Sequence, residues 1–316
     1  MLQVIEPGLY STVQDRGRDG WGHLGVRRAG AADPWALAAA NLLVGNPPHA
    51  AAVEMTLLGG TFAISADVLV GLAGAEMEAY VPEESRRLTT GASHRLRAGT
   101  TLAFGSASLG ARTYLALAGA IDVPAVLGSA STDPVAGFGG VEGRALRAGD
   151  VLVAGTAGAT TEMQWPSDVP SSGVAAPGST TEVSVLEGPH LDAMPSVVGD
   201  ALVERTWTVS PRADRVGLRL DGQALDGADG LDLVSVPMVP GAIQVPANGR
   251  PIVLMPDAPT VGGYPVPAVI AAAEQHRTGQ LRPDDALRFR WISLDGARQA
   301  SAEQRERLAA VAAELS

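Results

Sequence analysis

The polar residues able to do chemistry gather in a few short stretches. Asp257, Thr260 and Tyr264 lie with the pair Gly262-Gly263 in one loop, PDAPTVGGY. Glycines there let the backbone approach a ligand, and a helix opening after them would aim unpaired N–H groups at an anion. Near the start, Gln14, Asp15 and Arg16 sit together in STVQDRGR. An arginine fork can hold a carboxylate or a carbonyl, although a turn with Asp15 capping backbone donors gives the same pattern. Glu54 is a carboxylate inside the apolar run AAVEMTLL. Ser129 leads a hydroxyl-rich turn, SASTD, and Arg215 follows Asp214 in SPRADRVG. Both are open to a bland reading as a surface turn and a structural ion pair.

Composition narrows the chemistry. All 23 basic residues are arginine, so Schiff-base catalysis and a phosphate loop needing Gly-Lys-Ser/Thr are absent. Without cysteine there is no thiol nucleophile, zinc-thiolate site or disulfide. The five histidines are scattered without ligand spacing, so no metal site is expected. Ser129 and Asp133 lack a nearby histidine and do not read as a hydrolase triad. A net charge of −11 gives no footprint for nucleic acid or an anionic membrane surface. The opening MLQVIEPGLY lacks an apolar core, and no apolar run reaches about 18 residues, so a cytoplasmic protein is expected.

The elements that must position these residues read as mainly β. The 38 glycines and 22 prolines argue for many turns and short strands. Runs such as TFAIS, VLVGLA, MEAYV, TLAF and RTYLALAG repeat through the first half. Asp33-Pro34 should cap and open the one substantial helix there, ended at Gly45. In the second half, Ala242–Val245 and Pro251–Met255 form two strands around an Ala247-Asn248-Gly249 turn, with Gln244 on the first. A helix is expected from about Pro267, a strand over ALRFRWISL, and a last helix opened by a Ser301–Gln304 capping box. The Gly, Ala, Ser and Pro content of 156–181 reads as a linker between domains at 1–155 and 182–316.

Taken together, several long motifs resemble one family. They are GLYSTVQDRGRDGWGHLGVRRAGAADPWALAAANLLVGN, LAGAIDVPAVLGSASTD, GFGG with EGRALRAGD, SPRADRVGLRL, and VPGAIQVPANGRPIVLMPDAPTVGGYP. The chain is similar over most of its length to the KipA type, the C subunit of the prokaryotic ATP-dependent 5-oxoprolinase, also called allophanate hydrolase subunit 2. That resemblance implies tandem cyclophilin-like β-barrels, with KipI-type and LamB/YcsF-type subunits as partners. It implies ATP-driven opening of 5-oxo-L-proline to L-glutamate, with ATP (and its Mg) held here or on a partner. The related alternatives are the carboxyltransferase of a biotin-dependent urea or amide carboxylase and a kinase-regulating binding module. Under the first reading Asp15, Asp257 and Tyr264 are the expected catalytic groups. Gln14, Arg16, Glu54, Ser129, Arg215, Gln244, Thr260, Gly262 and Gly263 would bind a small anionic substrate where the two halves meet.

Overall fold

The computed structural model describes residues 1–156, 161–176, 178–227 and 233–315. Two compact units divide the chain, and each is treated by itself.

The first unit comprises Met1–Arg18, Ala29–Val174 and Leu308–Ser316. Its strands are β1 (Leu2–Glu6), β2 (Tyr10–Gln14), β3 (Ala52–Thr56), β4 (Thr61–Ile64), β5 (Val68–Val81), β6 (Arg86–Leu88), β7 (Ala92–Leu96), β8 (Thr101–Leu117) and β9 (Val151–Leu152), with helix α1 (Pro34–Leu42) between β2 and β3. They make one sheet in the order β2-β3-β8-β4-β1-β9, and β5 joins it through β8 while also pairing β6 and β7. The long strand β5 shows why. Its first half is apolar on both faces and nearly all buried, whereas Glu76, Glu78 and Tyr80 alternate outward against Met77, Ala79 and Val81 inward. One face of the sheet closes on Val53, Met55, Phe62, Leu72, Leu102 and Leu115.

Helix α1 packs on the other face with Trp35, Leu37 and Leu42 among Ala73, Tyr114, Trp165 and Val311. Eight of its nine residues are buried, as an Ala-rich helix apolar all round requires. Gly71 makes the approach possible, since a Cβ there would stand 2.1 Å from the Ala40 carbonyl oxygen. Trp165, from the stretch whose composition reads as linker, is buried edge-on to Trp35 at 6.4 Å, and its indole N–H donates to the Val169 carbonyl. Residues 157–160 and 177 of that stretch lie outside the described residues.

The second unit comprises Asp19–Arg28 and Ala175–Arg307. Its strands are β10 (Thr181–Glu187), β11 (Trp207–Val209), β12 (Gly217–Asp221), β13 (Val236–Pro237), β14 (Ala242–Gln244), β15 (Ile252–Leu254), β16 (Val261–Gly262), β17 (Ala268–Ile270) and β18 (Ala286–Trp291). Its helices are α2 (Ser196–Glu204) and α3 (Gln275–Thr278), with α4 (Leu294–Glu314) as far as Arg307, the rest of that helix counting with the first unit. Seven of the strands close a barrel in the order β10-β17-β14-β15-β12-β11-β18, sealed by parallel pairing of β10 with β18. Strand β18 alternates as its sequence dictates, Leu287 and Phe289 inward and Arg288 and Arg290 outward. Strands β13 and β16 form a separate two-stranded ribbon. The mainly β expectation therefore holds, with a closed barrel in one unit and an open half-barrel sheet in the other.

Two local expectations do not hold. The stretch after Pro267 is strand β17, paired on both sides, followed by a single 3-10 turn and the four-residue α3. The Gly262-Gly263 loop thus opens a strand and offers no helix N-terminus to an anion. The last helix begins at Leu294, where Ser293 Oγ accepts from Gly296 N at 3.1 Å. Ser301 instead lies mid-helix and donates to the Ala297 carbonyl, while Gln304 reaches the Ala273 carbonyl.

Candidate functional site

In the first unit β2 runs into a loop that places Asp15 at the centre of four donors. Ser129 Oγ (2.6 Å), Ser131 Oγ (2.5 Å), Ala130 N (2.7 Å) and Gly17 N (2.8 Å) all donate to its carboxylate. Burial pushes the Asp15 carboxyl up, but these hydrogen bonds favour the charged form more strongly and hold it below the usual range. A carboxylate saturated in this way clamps backbone. Arg18 grips the same segment from the other side: it is 2% exposed, donates to the Ser131 carbonyl at 2.5 Å, and stacks over Phe138 with 4.9 Å to the ring centre. The guanidinium gains from both the carbonyl and the ring face. Next to it, Gln14 is fully buried; it accepts from Gly30 N at 3.1 Å and donates to Thr12 Oγ1 at 3.0 Å. Arg16, two positions on, is exposed.

Glu54 heads a second buried cluster. On β3 it pairs with Tyr114 of β8, and its Oε2 accepts from the Tyr114 hydroxyl at 2.6 Å and from Ala32 N at 2.9 Å. Arg112 Nε stands 3.5 Å from Oε1. The Tyr114 hydroxyl in turn accepts from Asp33 N at 2.8 Å. Asp33 spends one carboxylate oxygen capping α1 at Ala36 N and the other on Gly173 N. Burial, with the negative charges of Glu54 and Asp33 nearby, raises the Tyr114 phenol well above its ordinary value. Both clusters thus hold the backbone of one buried segment, Gly30 to Asp33, against the sheet.

In the second unit the candidate loop is anchored by an ion pair. Arg215 meets Asp257 through two parallel bonds, Nε to Oδ2 at 2.8 Å and Nη2 to Oδ1 at 2.9 Å, and both side chains are buried. Asp257 N also donates to the Arg215 carbonyl. Asp214 turns away to cap Val216 N and Gly217 N. Beyond this anchor the loop opens outward: Gly263 is exposed, Thr260 and Gly262 are half-buried, and Tyr264 is 51% exposed. Gln244 is buried beneath it, with Nε2 3.5 Å from the Met238 sulfur. A Cβ on Gly262 would stand 2.5 Å from that nitrogen, so glycine is what lets the amide lie against the loop backbone.

The two units therefore bring together two groups of the expected residues: Gln14, Asp15 and Ser129 in one, Gln244, Asp257, Gly262 and Arg215 in the other. Glu54 sits with Tyr114, Arg112 and Asp33, which sequence reasoning passed over, as it did Arg18 and Ser131. Tyr114 lies in the strand run RTYLALAG, and only its pairing across β3 and β8 brings its hydroxyl to Glu54. Among the described residues no three His, Asp or Glu side chains come together to hold a metal ion.

Against this geometry the carboxyltransferase domain family, subdomains A and B, matches residues 24–291. The chain belongs to the carboxyltransferase domain family. It is 38% identical over 304 residues to the C subunit of the 5-oxoprolinase of Escherichia coli (strain K12), covering 96% of this chain and 95% of that one. The crystal structure of TTHA0988 matches at a TM-score of 0.81 and 34% identity, over 92% of this chain and 56% of the other. The K. lactis urea amidolyase matches at a TM-score of 0.86 and 27% identity, over 98% of this chain and 20% of that protein. This chain thus spans about half of the first solved chain and a fifth of the second. No helix among the described residues is long and apolar enough to cross a membrane.

Proposed function

We propose that the chain is one subunit of an ATP-dependent 5-oxoprolinase, acting with KipI-type and LamB/YcsF-type subunits. The observation that carries this reading is the near end-to-end match to the C subunit of a 5-oxoprolinase, 96% of one chain against 95% of the other. Opening a five-membered lactam requires breaking amide resonance, and phosphorylation of the amide oxygen by ATP gives water a leaving group to displace. This chain's part is to hold the substrate carboxylate and the charge that develops, through backbone N–H groups and side-chain donors. The outward arc from Thr260 to Tyr264, fixed at its root by Arg215 and Asp257, supports that role in the second unit. The clamp of Asp15 and Arg18 on the Ser129–Ser131 segment sets the loops of the first. ATP fits a partner better than this chain. Lysine is absent from the sequence, and the Gly262-Gly263 loop leads into a strand, so that loop offers neither usual cradle for its phosphates.

Purified alone, the chain should show no 5-oxoproline-dependent ATP hydrolysis. With both partners added, glutamate and ADP should form together. A complete set that assembles yet releases no glutamate would overturn the proposal. A second reading, carboxyl transfer from a biotin carrier, has support in the family's name and in the likeness to a urea amidolyase. Exchange of carboxyl groups between a carboxylated biotin carrier and urea, dependent on this chain, would favour it.

A further inference from the structure

Three neighbouring strands of the second unit lay a row of unlike side chains across the barrel. The register pairs Gln244 of β14 with Ile252 of β15, and Ile252 with Arg219 of β12. Directly paired residues of antiparallel strands share a face, so the three side chains point the same way. Arg219 is exposed, which marks that face as the outer one, and the alternating residues Ile243, Val253 and Leu218 are buried toward the interior. One row along the same face, Ala242 and Leu254 are sealed with Ala258 and Val266 against Met238. That cover ends at Gln244.

Gln244 is 6% exposed, yet its amide is poorly satisfied. Nε2 meets the Met238 sulfur, a weak acceptor, and among the described residues nothing donates to Oε1. A buried amide left in that state costs stability, which a ligand able to complete it would recover. Beside it Ile252 is half-buried, an apolar surface still open on one side. Arg219 makes no ion pair or side-chain hydrogen bond among the described residues. Neighbouring strands lie about 4.8 Å apart, so the row runs about 10 Å from the root of the amide to the root of the guanidinium. Side chains of this length converge on a small ring across that span.

We propose that this row binds a compact ring with a cis-amide edge on one side and a carboxylate on the other, the class to which 5-oxo-L-proline belongs. A five-membered lactam holds its N–H and C=O on the same side. Gln244 Oε1 accepts from the ring N–H, and Nε2 exchanges the sulfur for the ring carbonyl. The methylenes lie on Ile252, and the planar fork of Arg219 takes the carboxylate. The choice of ring rests on the 5-oxoprolinase reading, which the row deepens by naming what holds each end of the substrate.

The test is NMR titration of the whole chain with three ligands: 5-oxo-L-proline, 2-pyrrolidinone, which lacks the carboxylate, and cyclopentanecarboxylate, which lacks the amide. The native chain should saturate with 5-oxo-L-proline at a dissociation constant on the order of millimolar, and bind each analogue about fivefold more weakly. Arg219→Gln should lose the preference over 2-pyrrolidinone and keep that over cyclopentanecarboxylate. Gln244→Leu should do the reverse. Arg305→Gln, which removes an exposed arginine on α4, should bind like the native chain. Arg219 is exposed, so its variant keeps the test decisive even if circular dichroism shows Gln244→Leu unfolded. No saturation by the native chain, a folded variant that keeps the preference it should lose, or an equal loss for all three ligands would each overturn the proposal. Absent binding beside glutamate formation by the complete complex would overturn the row alone. Binding at the row without glutamate formation by that complex would overturn the proposed function and leave the row standing.

Discussion

The two units solve the same problem, fixing a polar loop over an apolar core, in opposite ways. The first uses buried carboxylates whose partners are mostly backbone N–H and hydroxyl groups: Asp15 takes four such bonds, and Glu54 takes Ala32 N and the Tyr114 hydroxyl. The second uses one side-chain ion pair, Arg215 with Asp257. A carboxylate satisfied by many weak donors loses a fraction of its stabilisation with each one removed. A buried bidentate ion pair that loses one side chain leaves the opposite charge uncompensated. The first arrangement should fail gradually and the second abruptly.

The largest effect is therefore expected at Arg215. Arg215→Ala should cost about 3–5 kcal/mol in the unfolding of the second unit, because Asp257 is left buried without its partner. The paired change Arg215→Met with Asp257→Leu should recover most of that loss in urea denaturation. If the double variant is as unstable as the single one, the ion pair is not what the loop depends on.

Next comes Asp15→Asn, expected to cost about 1–3 kcal/mol as one acceptor set for charge-assisted bonds is weakened. This contribution carries a pH signature. The folded carboxyl titrates below its unfolded value, so the stabilisation is fully present above the ordinary aspartate range. It is lost as pH falls through the lowered folded value. The native chain should lose stability along that acid limb more steeply than Asp15→Asn. Identical acid limbs would remove Asp15 from the account.

Tyr114→Phe should cost about 1–2 kcal/mol, since Glu54 keeps Ala32 N and Arg112 when the hydroxyl goes. In alkaline ultraviolet titration one tyrosine should stay protonated beyond the usual phenol range until the chain unfolds, and that signal should vanish in the variant. The smallest effect is expected at the half-exposed pair Arg250–Asp221, where Arg250→Ala should change stability by less than about 1 kcal/mol. A loss as large as that of Arg215→Ala would mean that burial does not separate the two pairs.

How much of this was legible in the sequence depended on how local the cause was. The Asp33-Pro34 start of α1 and the Asn248-Gly249 turn between β14 and β15 are written in adjacent residues, and both are where they were expected. Strand β17 reads as helix in the sequence because a short apolar Ala and Ile run has no period of its own. Its pairing with β10 and β14, both distant in sequence, decides the matter. The start of α4 carries Gly296, a poor helix former, in its first turn, whereas Ser301 and Gln304 have the spacing of a capping box seven residues downstream of Leu294. Arg18 and Arg16 are indistinguishable on paper. Only the return of Ser131 and Phe138 from more than a hundred residues away makes one buried and leaves the other in water.

Parallel pairing between β10 and β18 also has a bearing on how the second unit is made. A ribosome delivers Thr181 long before Trp291, so the first barrel strand waits with an open edge while the intervening chain is synthesised. A nascent or truncated chain stopping short of Ala286 leaves both β10 and β11 without the neighbour that seals them. Such fragments would be the aggregation-prone species during expression, and a chaperone's greatest service to this protein falls in that interval.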